Sequence, residues 1–179
     1  MSFLFGFIGY LLYFLYDLNQ IFKFSNLVKY GFSLGSICLF LGTISACGNR
    51  IVNYVAFGFV IIALALEIYI LFFALNFEDT YVKEEFHVCD KGLYALCRHP
   101  GFYSFALLYL ALYFSYQDVT LIYLGLMYNV LNLLYILFQD IFVFPKLFKD
   151  YDEYKKTTPC LLFNKQSIKR CIRDFRGQR

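Results

Sequence analysis

The chain has 179 residues, of which 60% are hydrophobic and only 16% charged, and its formal net charge is +3. A soluble domain carries about a quarter charged residues, and the apolar surplus here lies in long continuous runs, which disfavours a soluble globular class. Strands of a β-barrel would alternate apolar and polar residues instead, so the composition predicts an all-α, polytopic transmembrane helix bundle of about five spans.

The first apolar run, Phe3–Tyr16, is short of the ~20 residues a span needs, and extending it to Phe22 takes in Asp17, Asn19 and Gln20. It has no basic residue ahead of it and no small-residue cleavage site, so it reads as a retained span and not a signal peptide. Span two is predicted over Val28–Cys47 and span three over Ile51–Leu75, joined by the tight turn Gly48-Asn49-Arg50. Glu67 lies inside span three, ~12 Å from its end at the helical rise. An acid at that depth is costly; it marks a functional site or a neutral carboxyl hydrogen-bonded to another helix.

A polar loop, Asn76–Lys91, carries Glu78, Asp79, Lys83, Glu84, Glu85, His87, Asp90 and Lys91 and reads as solvated. It leads into Gly92–Tyr103, GLYALCRHPGFY, which sets Arg98-His99-Pro100 at the mouth of span four, Gly101–Tyr116. Proline lacks an N–H and disfavours helical geometry at His99, so it suits the opening turn of a helix. The free N–H groups of such a turn, with the helix dipole, favour an anion. After the Gln117-Asp118 turn comes span five, Val119–Phe138. Tyr128, Asn132, Tyr135 and Gln139 recur along it at four, three and four, so they share one face that Asp140 continues. That stripe either glues span five to a neighbour or, with Glu67, lines a polar substrate pocket.

Pro145 breaks the exit from span five. Beyond it, Phe148, Tyr151 and Tyr154/Lys155 recur at three to four, which predicts an amphipathic helix lying on the membrane surface. Residues 1–163 form one domain on this reading, and Lys165–Arg179 is a basic, mobile tail for which an anionic membrane suffices without nucleic acid. The six cysteines show no CxxC pair and are expected to be unpaired, and with only two histidines no metal site is predicted. Placing the ends of spans one, three and five inside puts every Lys and Arg except Arg50 on the cytoplasmic side. The positive-inside rule then sets the N-terminus outside and the C-terminus in the cytoplasm.

These motifs together carry a resemblance. Gly92-Leu-Tyr94, then Arg98-His99-Pro100, then an acid closing a span, then Phe148-x-x-Tyr151-x-x-Tyr154 before Thr-Pro, resembles the isoprenylcysteine carboxyl methyltransferase and phospholipid methyltransferase superfamily. The likeness covers about Gly92–Leu162. It implies an integral membrane enzyme that binds S-adenosylmethionine from the cytosol and methylates a lipophilic or lipidated acceptor reaching in from the bilayer. Arg98, His99 and Pro100 would line the cofactor pocket, with Gln139-Asp140 or Asp140-Ile141 in the place of the family's Glu-Glu pair. Phe102 and Ser104 stand where the family has tyrosine and glycine. Arg98 is expected to pair the cofactor carboxylate, and His99 to bind it or act as base. Asp140 would meet the ribose or the amine, while Tyr94, Tyr103 and Phe144 face the sulfonium or adenine. Two other readings stand beside this one: a nicotinamide-dependent enzyme similar to the sterol reductases, and a non-catalytic scaffold on an altered enzyme frame.

Overall fold

The computed structural model describes residues 1–48, 52–74 and 86–177. Of the positions singled out above, Asn49, Arg50, Glu78, Asp79, Lys83, Glu84 and Glu85 lie outside the described residues. Helix α1 spans Ser2–Phe22, α2 Gly31–Cys47 and α3 Tyr54–Ile68. One short turn of helix, α4 (Leu93–Leu96), precedes α5 (Gly101–Tyr116) and α6 (Val119–Phe138). Three shorter elements follow: α7 (Phe144–Leu147), α8 (Tyr151–Thr157) and α9 (Lys165–Phe175). Among the described residues the structure is helical, with one isolated bridge between Phe86 and Phe148.

Among the described residues four helical runs are long and apolar enough to cross a membrane: Ser2–Phe22, Val28–Cys47, Tyr54–Phe73 and Val119–Leu147. The fifth expected span, α5, has 16 residues, or ~24 Å at the helical rise; it is apolar but shorter than the others. Their starts follow from local chemistry. Asn53 accepts the N–H groups of Val55 and Ala56 at the head of α3, and Asp118 accepts that of Thr120 at the head of α6. Large apolar side chains of α2 and α3, such as Phe40, Ile61 and Ile62, stay exposed, as lipid-facing residues must.

Helix α1 packs on α2 and α6, α3 on α5, and α5 on α6. Between them lies a core rich in tyrosine. Tyr10, Tyr13, Tyr109, Tyr128 and Tyr135 are buried, with ring centroids 5.5 Å apart for Tyr109–Tyr128 and 6.2 Å for Tyr10–Tyr135. Their hydroxyls find partners inside the bundle: Tyr13 with Ser36 at 2.9 Å, Tyr109 with Thr43 at 2.7 Å, and Tyr128 donating to the Ser2 carbonyl at 2.9 Å. The polar end of α1 is accommodated in the same way. Asp17 is buried and accepts a hydrogen bond from Gln139 at 2.9 Å.

Three expectations meet the structure here. Of the Tyr128–Gln139 stripe, Tyr128, Tyr135 and Gln139 contact α1, which is the helix-joining one of its two alternatives, whereas α3 packs on α5 and directs Glu67 away from them to Ser104. The segment Lys146–Lys156 is not a single surface helix. It forms α7 and α8, and its aromatic face turns inward, burying Tyr151 and Tyr154. The basic segment after residue 164 is helical over Lys165–Phe175, because Asn164 and Ser167 form a reciprocal capping box and Ser167 and Cys171 are buried.

Candidate functional site

The site grows out of the sharp turn that follows the charged loop. Gly92 has φ +58, a backbone geometry that favours glycine, and its N–H donates to Asp174 of α9 at 3.0 Å. One helical turn later the chain extends at Cys97 and runs beside the segment after α8. There Arg98 N–H donates to the Pro159 carbonyl at 3.0 Å and His99 N–H to that of Cys160 at 3.3 Å. Pro100 then opens α5, as its missing donor predicts.

Asp140 reaches this turn because the chain leaves α6 through one wide i→i+5 turn, Gln139–Val143. Such turns are rare and cluster at functional sites. Arg98 Nε donates to Asp140 Oδ1 and its terminal nitrogen to Oδ2, both at 2.7 Å, a bidentate pair between residues 42 apart in sequence. Both side chains are 8% exposed. The other terminal nitrogen of Arg98 caps α8 by donating to the Thr158 carbonyl at 2.6 Å. Tyr151 donates to Asp140 Oδ1 at 2.6 Å, and Tyr154 to the Tyr94 carbonyl at 2.6 Å.

His99 lies at the centre of this arrangement. Its ring stacks on Phe144, with centroids 5.8 Å apart and planes 13° from parallel. Its Nε2 is 3.4 Å from Asp140 Oδ1 but not aligned as a hydrogen bond, so that buried nitrogen has no hydrogen-bond partner. Burial, helped by the Arg98 charge and opposed by Asp140, holds the imidazole pKa below its ordinary 6.5. His99 is therefore neutral at neutral pH. The unfolded chain binds this proton more readily than the folded one, so the contribution to stability is complete above pH 6.5 and is lost as pH falls from there. Melting curves between neutral and mildly acidic pH should show this loss, and His99→Gln should flatten the slope; equal slopes would contradict it.

Two comparisons return nothing: no curated protein and no solved structure matches the chain. A family model described as "Protein of unknown function (DUF1295)" matches residues 11–158. The chain belongs to this family. The DUF1295 match takes in α2 and α3 and most of α1, which the resemblance over Gly92–Leu162 leaves out.

The remaining sequence-predicted residues of this DUF1295 member divide between the site and its surroundings. Tyr94 donates its hydroxyl to the Ile70 carbonyl of the wide turn after α3, and Tyr103 donates to the Leu161 carbonyl. Gln139 is turned to Asp17, away from its neighbour Asp140, and Tyr128 and Tyr135 stand with it against α1. Asn132 is half-buried on the same helix. Glu67 accepts the Ser104 hydroxyl, and its Oε1 lies 3.6 Å from where a side chain on Gly101 would begin, two residues from His99. Glu67 thus borders the Arg98-His99-Pro100 turn. The residues that sequence reasoning did not assign to the site are Tyr151, Ser104, the Thr158 carbonyl and Cys160. The Phe148-x-x-Tyr151-x-x-Tyr154 spacing carried part of that information, since it defines the face that turned inward.

The fold also gathers His99, Asp140 and Cys160, with one donor atom from each within 4.8 Å of the others, a grouping the sequence spacing did not suggest. Both Asp140 oxygens already hold the Arg98 guanidinium, so a cation there would have to displace another cation. Two clefts lie elsewhere. One of about 440 Å³ opens between Phe59 of α3 and Leu107, Leu110 and Phe114 of α5; the other, of about 290 Å³, is lined by Asp90, Asp150, Glu153, Tyr154 and Arg170. Neither is lined by His99, Arg98 or Asp140.

Proposed function

We propose that this protein is a membrane-embedded methyltransferase that uses S-adenosylmethionine and acts on a lipid or other lipophilic acceptor. The observation that carries the reading is the buried, unpartnered Nε2 of His99, set 3.4 Å from Asp140 at the head of α5. A buried polar atom without a partner is costly, and such atoms concentrate where chemistry needs them.

The residues present suit the cofactor in part. Phe144, stacked on His99, offers an aromatic face to a sulfonium or an adenine. Arg98 is committed to Asp140 and Thr158, so it acts as a positioning residue and does not pair the cofactor carboxylate. When bound, S-adenosylmethionine supplies an electrophilic methyl group. His99, neutral and with its Nε2 facing Asp140, takes the proton of the acceptor's nucleophilic atom on its other ring nitrogen, Nδ1, and Asp140 stabilises the resulting imidazolium. The bilayer and the aromatic wall exclude water, which leaves alignment as the main contribution of the protein.

A second reading, a nicotinamide-dependent reductase of a lipophilic substrate, rests on the similarity of the Arg98-His99-Pro100 half to that of the sterol reductases. A dinucleotide is polyanionic, however, and the guanidiniums beside the site are already paired, Arg98 with Asp140 and Arg170 with Asp90. The charge balance therefore favours the sulfonium cofactor. Calorimetric titration of the purified protein in nanodiscs tests both readings. Saturable S-adenosylmethionine binding, weakened at least tenfold in a His99→Gln variant that stays folded at the temperature of the titration, is the expected result. Binding of the nicotinamide cofactor alone would assign the second reading, and binding of neither would remove the enzyme reading.

A further inference from the structure

Helix α9 has two faces that differ in what they meet. Its inner face is docked on the protein. Ser167 and Cys171 are buried, Asp174 accepts the Gly92 N–H, and Arg170 donates to Asp90 Oδ2 at 3.3 Å and to the Thr157 carbonyl at 3.2 Å. Its outer face carries Ile168, Ile172 and Phe175, spaced by four and three, and these remain 42–62% exposed. Each is followed at once by a cation, Lys169, Arg173 and Arg176, with Lys165 one turn earlier. At 3.6 residues per turn the cations form a row along one edge of the apolar stripe. All four are exposed, and among the described residues none of them is paired with a carboxylate.

The position of this face points to its occupant. Tyr103, in the first turn of α5, belongs to an exposed apolar row that continues through Leu107, Leu110 and Phe114, the lipid-facing side of that helix. Phe163 packs on Tyr103 with ring centroids 5.1 Å apart, and Leu162 beside it is exposed. The chain therefore passes the edge of the lipid-facing surface immediately before α9 begins. An apolar stripe edged by unpaired cations and continuous with a bilayer-facing row fits a membrane interface whose headgroups are anionic. The stripe enters the headgroup–acyl boundary while the lysine and arginine stems reach up to phosphates and carboxylates.

We infer that α9 is an interfacial anchor that seats on anionic lipid at the basic end of the bundle, through Ile168, Ile172 and Phe175 and the row Lys165, Lys169, Arg173 and Arg176. This anchor is tied to the site by its inner face. Arg170 and Asp174 clasp Asp90 and Gly92 ahead of Arg98 and the end of α8 at Thr157, so the lipid surface and the Arg98 turn share one helix.

The chain contains no tryptophan, so Phe175→Trp in the otherwise intact protein places one indole, excited selectively over the tyrosines, on the outer face. The probe surfaces are nanodiscs of phosphatidylcholine alone and of phosphatidylcholine mixed with phosphatidylserine, each with and without brominated acyl chains. The expected result is blue-shifted emission and bromine quenching that are stronger in the anionic discs and fall with added salt. Replacing Lys165, Lys169, Arg173 and Arg176 by Gln should reduce that quenching several-fold while the melting temperature is kept. Water-like emission in both discs would overturn the inference. So would quenching equal in both and indifferent to the four substitutions, or blue-shifted emission that bromine does not quench, which would assign the face to a protein partner.

Discussion

Replacing Asp140 by Ala is expected to destabilise the protein by about 3–5 kcal/mol, because it strands the Arg98 guanidinium in a buried setting. The same loss is expected from Arg98→Ala, which leaves the carboxylate with only Tyr151 as donor and uncaps α8. At the size of this chain such a loss lowers the melting temperature by on the order of 10 °C. A thiol-reactive dye gives the readout, since Cys47, Cys97 and Cys171 are buried in the folded state and react on unfolding. The two changes combined should cost less than their sum, because the second removes the charge that the first leaves unpaired. Additive losses would mean that the two groups do not depend on each other, against the bidentate geometry at 2.7 Å. The result separates structure from chemistry: the pair is the frame on which His99 is held, so His99→Gln, which keeps much of the ring's volume, should cost far less stability at neutral pH than loss of the pair while altering ligand binding.

Gly35→Ala is expected to cost about 1–3 kcal/mol, an overpacking penalty at the closest approach of α1 and α2. A methyl carbon at Gly35 would sit 2.7 Å from the Gly9 carbonyl oxygen and 2.7 Å from ring carbons of Tyr13; one at Gly9 would sit 2.9 Å from the Gly35 carbonyl. The obstructing atoms include backbone on both sides, so rotamer changes cannot relieve them and the helices must part. Small residues allow such close approach of helices in a membrane, where packing takes the place of the hydrophobic effect. Parting α1 from α2 also disturbs the stacking of Tyr13 on Phe32, at 5.2 Å. Gly58→Ala in α3 is the matching control, since nothing lies within 4 Å of a carbon added there. The higher helix propensity of alanine should leave that variant equal to or more stable than the parent. Equal melting temperatures for the Gly35 and Gly58 variants would contradict the tight crossing.

How much of this was legible in the sequence varies with the kind of question. Span positions were legible because apolar length is a local property: α2, α5 and α6 coincide with the predicted Gly101–Tyr116 and Val119–Phe138 runs and with all but the first turn of Val28–Cys47. So were the opening of α5 at Pro100 and the turn at Gln117-Asp118. The wide turn at Gln139–Val143 was not, because it is a register change that no spacing rule marks, and it turns Asp140 toward Arg98 while Gln139 stays with Asp17. The capped helix α9 was hidden under its charge, which suggested a mobile tail although Asn164 and Ser167 were in place to start it.

The sequence by itself determined the class of the molecule, its spans and a short set of polar residues at one end, because hydrophobic length, helix breakers and caps act within a few residues of each other. Which neighbour each face meets was decided only in three dimensions: Arg98 with Asp140, the tyrosine stripe with α1, Glu67 with Ser104, and the inward turn of Tyr151 and Tyr154. Periodicity tells which side chains point together, whereas partners 42 residues apart meet only when helix packing brings their faces into register.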